Sequence, residues 1–165
     1  MTAALFRLSR ALERLTTLAL VPLVALFTGI LITAVFKRYL LGTSFVHAFE
    51  LTRVAFIWAT FLAAASGVYR LSHIRVTMLA DFLPPAPRRM LEALVQAAML
   101  GFALMLVWHG TIVADRMGAT VLPTLAWPQS VIYAAVPVAA AIAAVHAAAN
   151  LARVLARTDA AGAAP

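Results

Sequence analysis

The sequence predicts an all-α membrane protein with four transmembrane helices and both termini in the cytoplasm. Three observations carry this. The 165 residues are 64% apolar and only 12% charged, whereas a soluble domain averages about 45–50% apolar and about 25% charged. The apolar residues gather into four runs, each long enough to cross a bilayer at about 20 residues per span. The basic residues gather at the ends of those runs, and mostly on one side.

The first run, Leu15 to Phe36, has no charge in 22 residues and is flanked by Arg7, Arg10 and Arg14 before it and Lys37 and Arg38 after it. A signal peptide also begins with basic residues, but its apolar core is about 7–15 residues and ends at a small-residue cleavage site. This run is longer and ends in Val35-Phe36-Lys37-Arg38, so it reads as an uncleaved span. The second run covers about residues 49–69, with Glu50 and Arg53 near its start. The third covers about 93–113, with Gln96 inside and Trp108-His109 near its end. The fourth, 131–155, is rich in alanine and contains His146, Asn150 and Arg153. Residues 1–156 thus form one transmembrane domain, and 157–165 read as a disordered tail.

Charge placement orients the spans. Arg7, Arg10, Arg14, Arg70, Arg75, Arg88, Arg89, Arg153 and Arg157 fall on one side, and Lys37, Arg38 and Arg116 on the other. Nine against three puts the first group in the cytoplasm by the positive-inside rule. The net charge of +7 is thereby explained without nucleic acid. With no cysteine in the chain, disulfides, thiol nucleophiles and Cys-ligated metals are excluded.

Between spans 2 and 3, Ile74, Met78, Leu79, Phe82 and Leu83 recur at helical spacing, while His73, Arg75, Thr77 and Asp81 fall mostly elsewhere. This predicts a short amphipathic helix in the membrane interface. Pro84-Pro85-Ala86-Pro87 ends it, because proline has no N–H to continue a helix. Before span 4, Trp127 fits an interfacial aromatic anchor. Pro22 and Pro137 are expected to bend spans 1 and 4.

Few residues could carry chemistry. Glu50 and Arg53, three apart, share a helix face. Either Glu50 complements the helix N-terminus while Arg53 snorkels to headgroups, or the pair makes a polar contact with a partner protein or lipid. His47 and His109 share a depth, which leaves a haem-binding membrane anchor of a redox complex as the alternative function. His73 and His146 lie elsewhere along the membrane normal. No G-x-S-x-G, H-E-x-x-H or Gly-rich phosphate loop occurs, so no enzyme is expected. Ala135, Ala139, Ala143 and Ala147 form a small-residue stripe suited to close helix packing. Transport sites need polar groups at mid-depth, and these four runs supply almost none. The chain therefore reads as a helper, with no cofactor or metal.

A family resemblance sharpens this. Glu50, Arg53, Trp58, Phe61-Leu62-Ala63-Ala64-Ala65, His73-Ile74-Arg75-Val76, Leu83-Pro84 and Arg88 follow in an order that resembles the small (Q-type) permease subunit of TRAP transporters, the tripartite ATP-independent periplasmic carriers. Pro123-Thr124-Leu125-Ala126-Trp127-Pro128, then Tyr133 and Pro137, extend the likeness. His47, Phe49 and Thr77 depart from it where that family often has Trp, Glu and Asp. The resemblance implies a scaffold subunit in a bacterial inner membrane. Its partners would be a large permease subunit, a periplasmic substrate-binding protein and lipids. The large subunit would carry out sodium-coupled uptake of a carboxylate. Glu50, Arg53, Trp58, His73, Ile74, Arg75, Phe82 and Arg88 become the candidates for partner or lipid contact.

Overall fold

The computed structural model describes residues 2–71 and 84–162, with side chains from 4 to 70, at 84 and from 87 to 156. The described chain is helical apart from short connections. Helix α1 spans Thr2–Leu40, α2 Ala48–Leu71 and α3 Pro85–Arg116. A 3-10 turn, Met117–Ala119, leads into a tight loop, after which come a single turn, α4 (Ser130–Tyr133), and α5 (Ala135–Gly162). Four helical stretches are long and apolar enough to cross a membrane: Ala4–Leu40, Ala48–Arg70, Pro87–Ala119 and Ser130–Ala156.

Each helix is longer than its apolar run. At about 1.5 Å per residue α1 is roughly 58 Å long, about twice the hydrocarbon thickness. It begins well before Leu15 because Thr2 to Arg14 contains no helix breaker. It ends where Gly42 takes a left-handed φ of 61° and the Thr43 N–H returns to the Lys37 carbonyl at 3.0 Å. Proline at its first positions starts α3, where a missing N–H costs nothing. The alanine-rich α5 runs through Gly162, so helical backbone continues past Arg157 into the segment that composition alone assigns to a tail. The amphipathic helix expected between His73 and Leu83 lies outside the described residues.

The short break at Ala134 has a local cause. Pro137 has no N–H to return to the Tyr133 carbonyl, so the regular ladder lapses there. The Val138 N–H bonds the Ala134 carbonyl at 3.2 Å and the helix resumes. Gly110 of α3 approaches at this point. A Cβ placed on Gly110 would lie 3.0 Å from the Pro137 ring, so a side chain there would push the two helices apart.

Helix α5 is the hub and packs against the other three long helices, α3 most extensively. Helix α1 packs along α2 and reaches α5. The most apolar window of α5 is 44% buried, and that of α1 is 0% buried. The difference follows from side-chain size. Ala135, Ala139, Ala140, Ala144, Ala147 and Ala149 are all buried, since small residues let backbones approach where lipid tails offer no hydrophobic drive to associate. The C-terminal half of α1 instead exposes Leu31, Ile32, Val35 and Phe36. An edge-to-face contact of Phe27 on Phe56, with centroids 5.7 Å apart, joins α1 to α2 at mid-length.

Three threonine hydroxyls within the spans bond to their own helices. Thr33 donates to the Gly29 carbonyl, Thr60 to Phe56 and Thr111 to Trp108, each at 2.8 Å. No water is available in hydrocarbon to satisfy them otherwise.

Candidate functional site

Polar residues concentrate at the two ends of the bundle, and a buried carboxylate organises each. At one end lies the loop between α3 and α4. Its strands are held by a Leu122 N–H bond to the Trp127 carbonyl and a Gln129 N–H bond to the Thr120 carbonyl, both 2.7 Å. Val121 and Pro128 form an isolated antiparallel bridge. The tip closes through the Ala126 N–H, 3.0 Å from the Leu122 carbonyl, with Ala126 at a left-handed φ of 54°. Leu122 is 2% exposed and plugs the loop onto the bundle.

This closure turns two successive amides toward α2. Glu50, in the first turn of α2 and 7% exposed, receives both. Thr124 N–H lies 3.0 and 3.1 Å from the two carboxylate oxygens, and Leu125 N–H lies 2.8 Å from Oε2. Paired amides of this kind form an anion-binding concavity, and bonds to an ionised acceptor are about twice as strong as neutral ones. Trp58 supports the same joint: its indole N–H donates to the Val131 carbonyl at 2.9 Å. We call this the hairpin end.

The opposite end holds both termini. Glu13 of α1 is 8% exposed and accepts from Ser66 Oγ at 2.8 Å, Arg70 Nε at 3.2 Å and Thr17 Oγ1 at 3.4 Å. One turn earlier, Ser9 meets His146 Nδ1 at 2.8 Å across α1 and α5. The His146 ring is fully buried and lies against Tyr69, with centroids 5.2 Å apart. Asn150 Nδ2 donates to the Val68 carbonyl at 3.4 Å, and Asn150 Oδ1 accepts from Arg153 Nη1 at 3.2 Å. The Arg153 guanidinium stacks over Phe6 at 4.9 Å. Three helices thus share one polar junction. Two of its atoms, Glu13 Oε2 and His146 Nε2, are buried without a partner among the described residues.

The sequence-derived candidates disperse over this architecture. Glu50 turns inward to the loop, while Arg53 stays exposed and pairs with none of the described residues. The two share a helix but no contact, because the loop takes the carboxylate. Trp58 and Trp127 serve the hairpin end, the first through the bond to Val131 and the second 45% exposed at the loop tip. Arg88 forms an i,i+4 pair with Glu92 at 3.5 Å. Ala135, Ala139 and Ala147 are buried, and Ala143 is half-buried beside them. His73, Ile74, Arg75 and Phe82 lie outside the described residues.

The histidines do not converge. His47 and His109 are both exposed, His109 Nδ1 meets the Met105 carbonyl of its own helix at 3.0 Å, and His146 is enclosed at the other end. The haem-anchor alternative gains no support from these positions. Among the described residues no group of three or more His, Asp or Glu could hold a metal ion.

Ser9 and Glu13 escaped the sequence reading, which treated the chain before Leu15 as a basic flank. A signal was present: Ser9, Glu13, Thr16 and Thr17 recur at i, i+4 spacing between Arg7, Arg10 and Arg14, the pattern of one inward polar face and one basic face.

What this arrangement does chemically is to brace. Each carboxylate is held by groups of the same chain, Glu50 through both oxygens and Glu13 through Oε1, and each ties together elements distant in sequence. No curated protein matches the chain. A family model does: "Tripartite ATP-independent periplasmic transporters, DctQ component" matches residues 27–157, which include α2, α3, the Glu50-bound loop and most of α5. That family is a transporter component and not an enzyme family. The chain is a multi-pass membrane protein belonging to the DctQ family, the small permease component of TRAP transporters.

Proposed function

We propose that the chain is the scaffold subunit of a TRAP transporter. It supports a large permease subunit in the bacterial inner membrane during sodium-coupled uptake of a carboxylate. A periplasmic protein delivers that substrate. The nine-to-three distribution of basic residues supports an orientation with both termini in the cytoplasm and the Glu50-bound loop on the periplasmic side.

The observation that carries the scaffold role is the engagement of both buried carboxylates. Glu50 holds backbone amides of Thr124 and Leu125, and Glu13 holds Ser66 and Arg70. Both are near the ends of the bundle and both are occupied by the chain itself. A transport path requires polar groups near mid-depth, and here the contact between α1 and α2 at mid-length is the apolar Phe27–Phe56 pair. The large subunit therefore carries substrate and sodium, and this chain supplies a stiff wall beside it.

Co-expression with a large TRAP permease subunit tests this. The two chains should co-purify as a stable complex, and transport should require both. A chain that inserts and remains stable, yet associates with no large permease, overturns the proposal.

A further inference from the structure

We propose that the first turns of α1 form a binding site for an anionic phospholipid, with the headgroup held by Arg7, Arg10 and Arg14. At about 100° per residue, positions 7, 10 and 14 fall within a sector of roughly 60° on the helix. All three side chains are exposed, and with Phe6 and Ala11 they line a groove of about 300 Å³. Arg153 of α5 stacks on Phe6, one of the residues lining the groove, and so fixes that residue from a second helix.

These cations have no carboxylate to neutralise them among the described residues. Glu13 lies about 60° around the helix from Arg10 and about 100° from Arg14, but it turns to α2, where Ser66 and Arg70 hold it. Glu92 pairs with Arg88. A phosphate-bearing ligand with net negative charge is the complement, since guanidinium matches phosphate in bidentate geometry.

Depth and continuity identify the ligand as a lipid. The charge-free stretch from Leu15 to Phe36 is roughly 33 Å long, close to the hydrocarbon thickness of about 30 Å. Arg14 therefore lies at the edge of the hydrocarbon. Arg10 follows about 6 Å further out, in the headgroup layer, and Arg7 about 10 Å out, at its watery side. In the other direction the same face continues as Leu18, 74% exposed, and Val21, 69% exposed. A single stripe thus offers guanidinium groups to a headgroup and apolar side chains to its acyl chain. A free phosphate or a soluble acidic peptide uses only half of it.

The site depends on α1 crossing a membrane and not on the transporter reading, so the two fail separately. The test uses the full chain in nanodiscs of phosphatidylcholine. Leu18→Trp places a fluorophore just inside the hydrocarbon on the same exposed face, within reach of an acyl-chain bromine. Quenching, corrected for the parent chain's own Trp58, Trp108 and Trp127, is compared between brominated phosphatidylglycerol and brominated phosphatidylcholine. The expected preference for the anionic lipid is roughly tenfold. The preference should be reduced but retained in the Arg7→Lys, Arg10→Lys, Arg14→Lys triple variant, which keeps the charge and loses the bidentate geometry, and fall to near parity in the corresponding Gln variant. Inorganic phosphate should not displace the lipid. Equal quenching by both lipids, full displacement by phosphate, or an undiminished preference in a folded Gln variant overturns the site. The first readout stands even if the Gln variant fails to insert.

Discussion

Glu50 and Glu13 are both carboxylates buried at a bundle end, yet they do different work. Glu50 bonds to backbone amides of a loop and fixes the shape of a connection. Glu13 bonds to side chains of α1 and α2 and fixes the position of one helix against another. The amides at Glu50 cannot leave without unwinding the tip of the loop. The Arg70 side chain at Glu13 is 62% exposed and can be replaced by water. The difference teaches that equal burial of an acid does not imply equal structural consequence. What matters is whether its partners have an alternative.

The largest expected effect is therefore at Glu50. Glu50→Ala leaves two part-buried amides without their acceptor, at about 2 kcal/mol of local stability. Amide hydrogen exchange at Thr124 and Leu125 should then accelerate roughly 30-fold, while exchange in α1 stays unchanged. Glu50→Gln keeps an acceptor but loses the charge and should give a smaller acceleration. Unaltered exchange in the Ala variant would break the comparison.

At the other end, Glu13→Ala should lower thermal stability in detergent by about 1–2 kcal/mol, through the loss of Ser66 and Thr17 bonds. Arg70→Gln should cost less than about 1 kcal/mol, because the exposed guanidinium is screened. A double-mutant cycle separates these contributions. A Glu13–Arg70 coupling larger than the Glu13–Ser66 coupling would reverse the picture of Arg70 as the replaceable partner.

His146 sharpens the account of the same junction. Ser9→Ala alone should cost about 1–2 kcal/mol, since it leaves the buried Nδ1 unpaired. Combining it with His146→Phe should recover most of that loss, because both polar groups are then gone and the ring contact with Tyr69 remains. A double variant no better than Ser9→Ala would show that His146 Nε2 has a partner of its own.

The smallest effect on stability belongs to Arg53. Arg53→Ala should change unfolding by no more than about 0.5 kcal/mol, as expected for an exposed side chain. Any loss of assembly with the large permease in that variant would then report a partner contact directly. Trp58→Phe lies between these cases, losing the bond to the Val131 carbonyl at about 1 kcal/mol.

The spans were legible because hydrocarbon imposes a simple rule: about 20 apolar residues must lie together. The ends of the helices were not, since nothing in a charged or alanine-rich flank stops a helix. Hence α1 starts at Thr2 and α5 runs to Gly162. Glu50 stood out as a charge beside a span, but its partners lie more than seventy residues away and are backbone amides. No side-chain pattern announces an amide. Glu13 was hidden among arginines, where its opposite direction on the helix is visible only as a phase.

The sequence by itself determined the number of helices, the membrane as their solvent and the asymmetry of charge. Each is set by composition within one segment, so local arithmetic suffices. Only the tertiary structure decided that α5 is the hub, that Gly110 meets Pro137, and that Glu50 closes on Thr124 and Leu125 and not on Arg53. Those outcomes depend on which helices lie side by side. That choice is made by shape and by the pairing of polar groups between distant segments, and neither is encoded in any single run of residues.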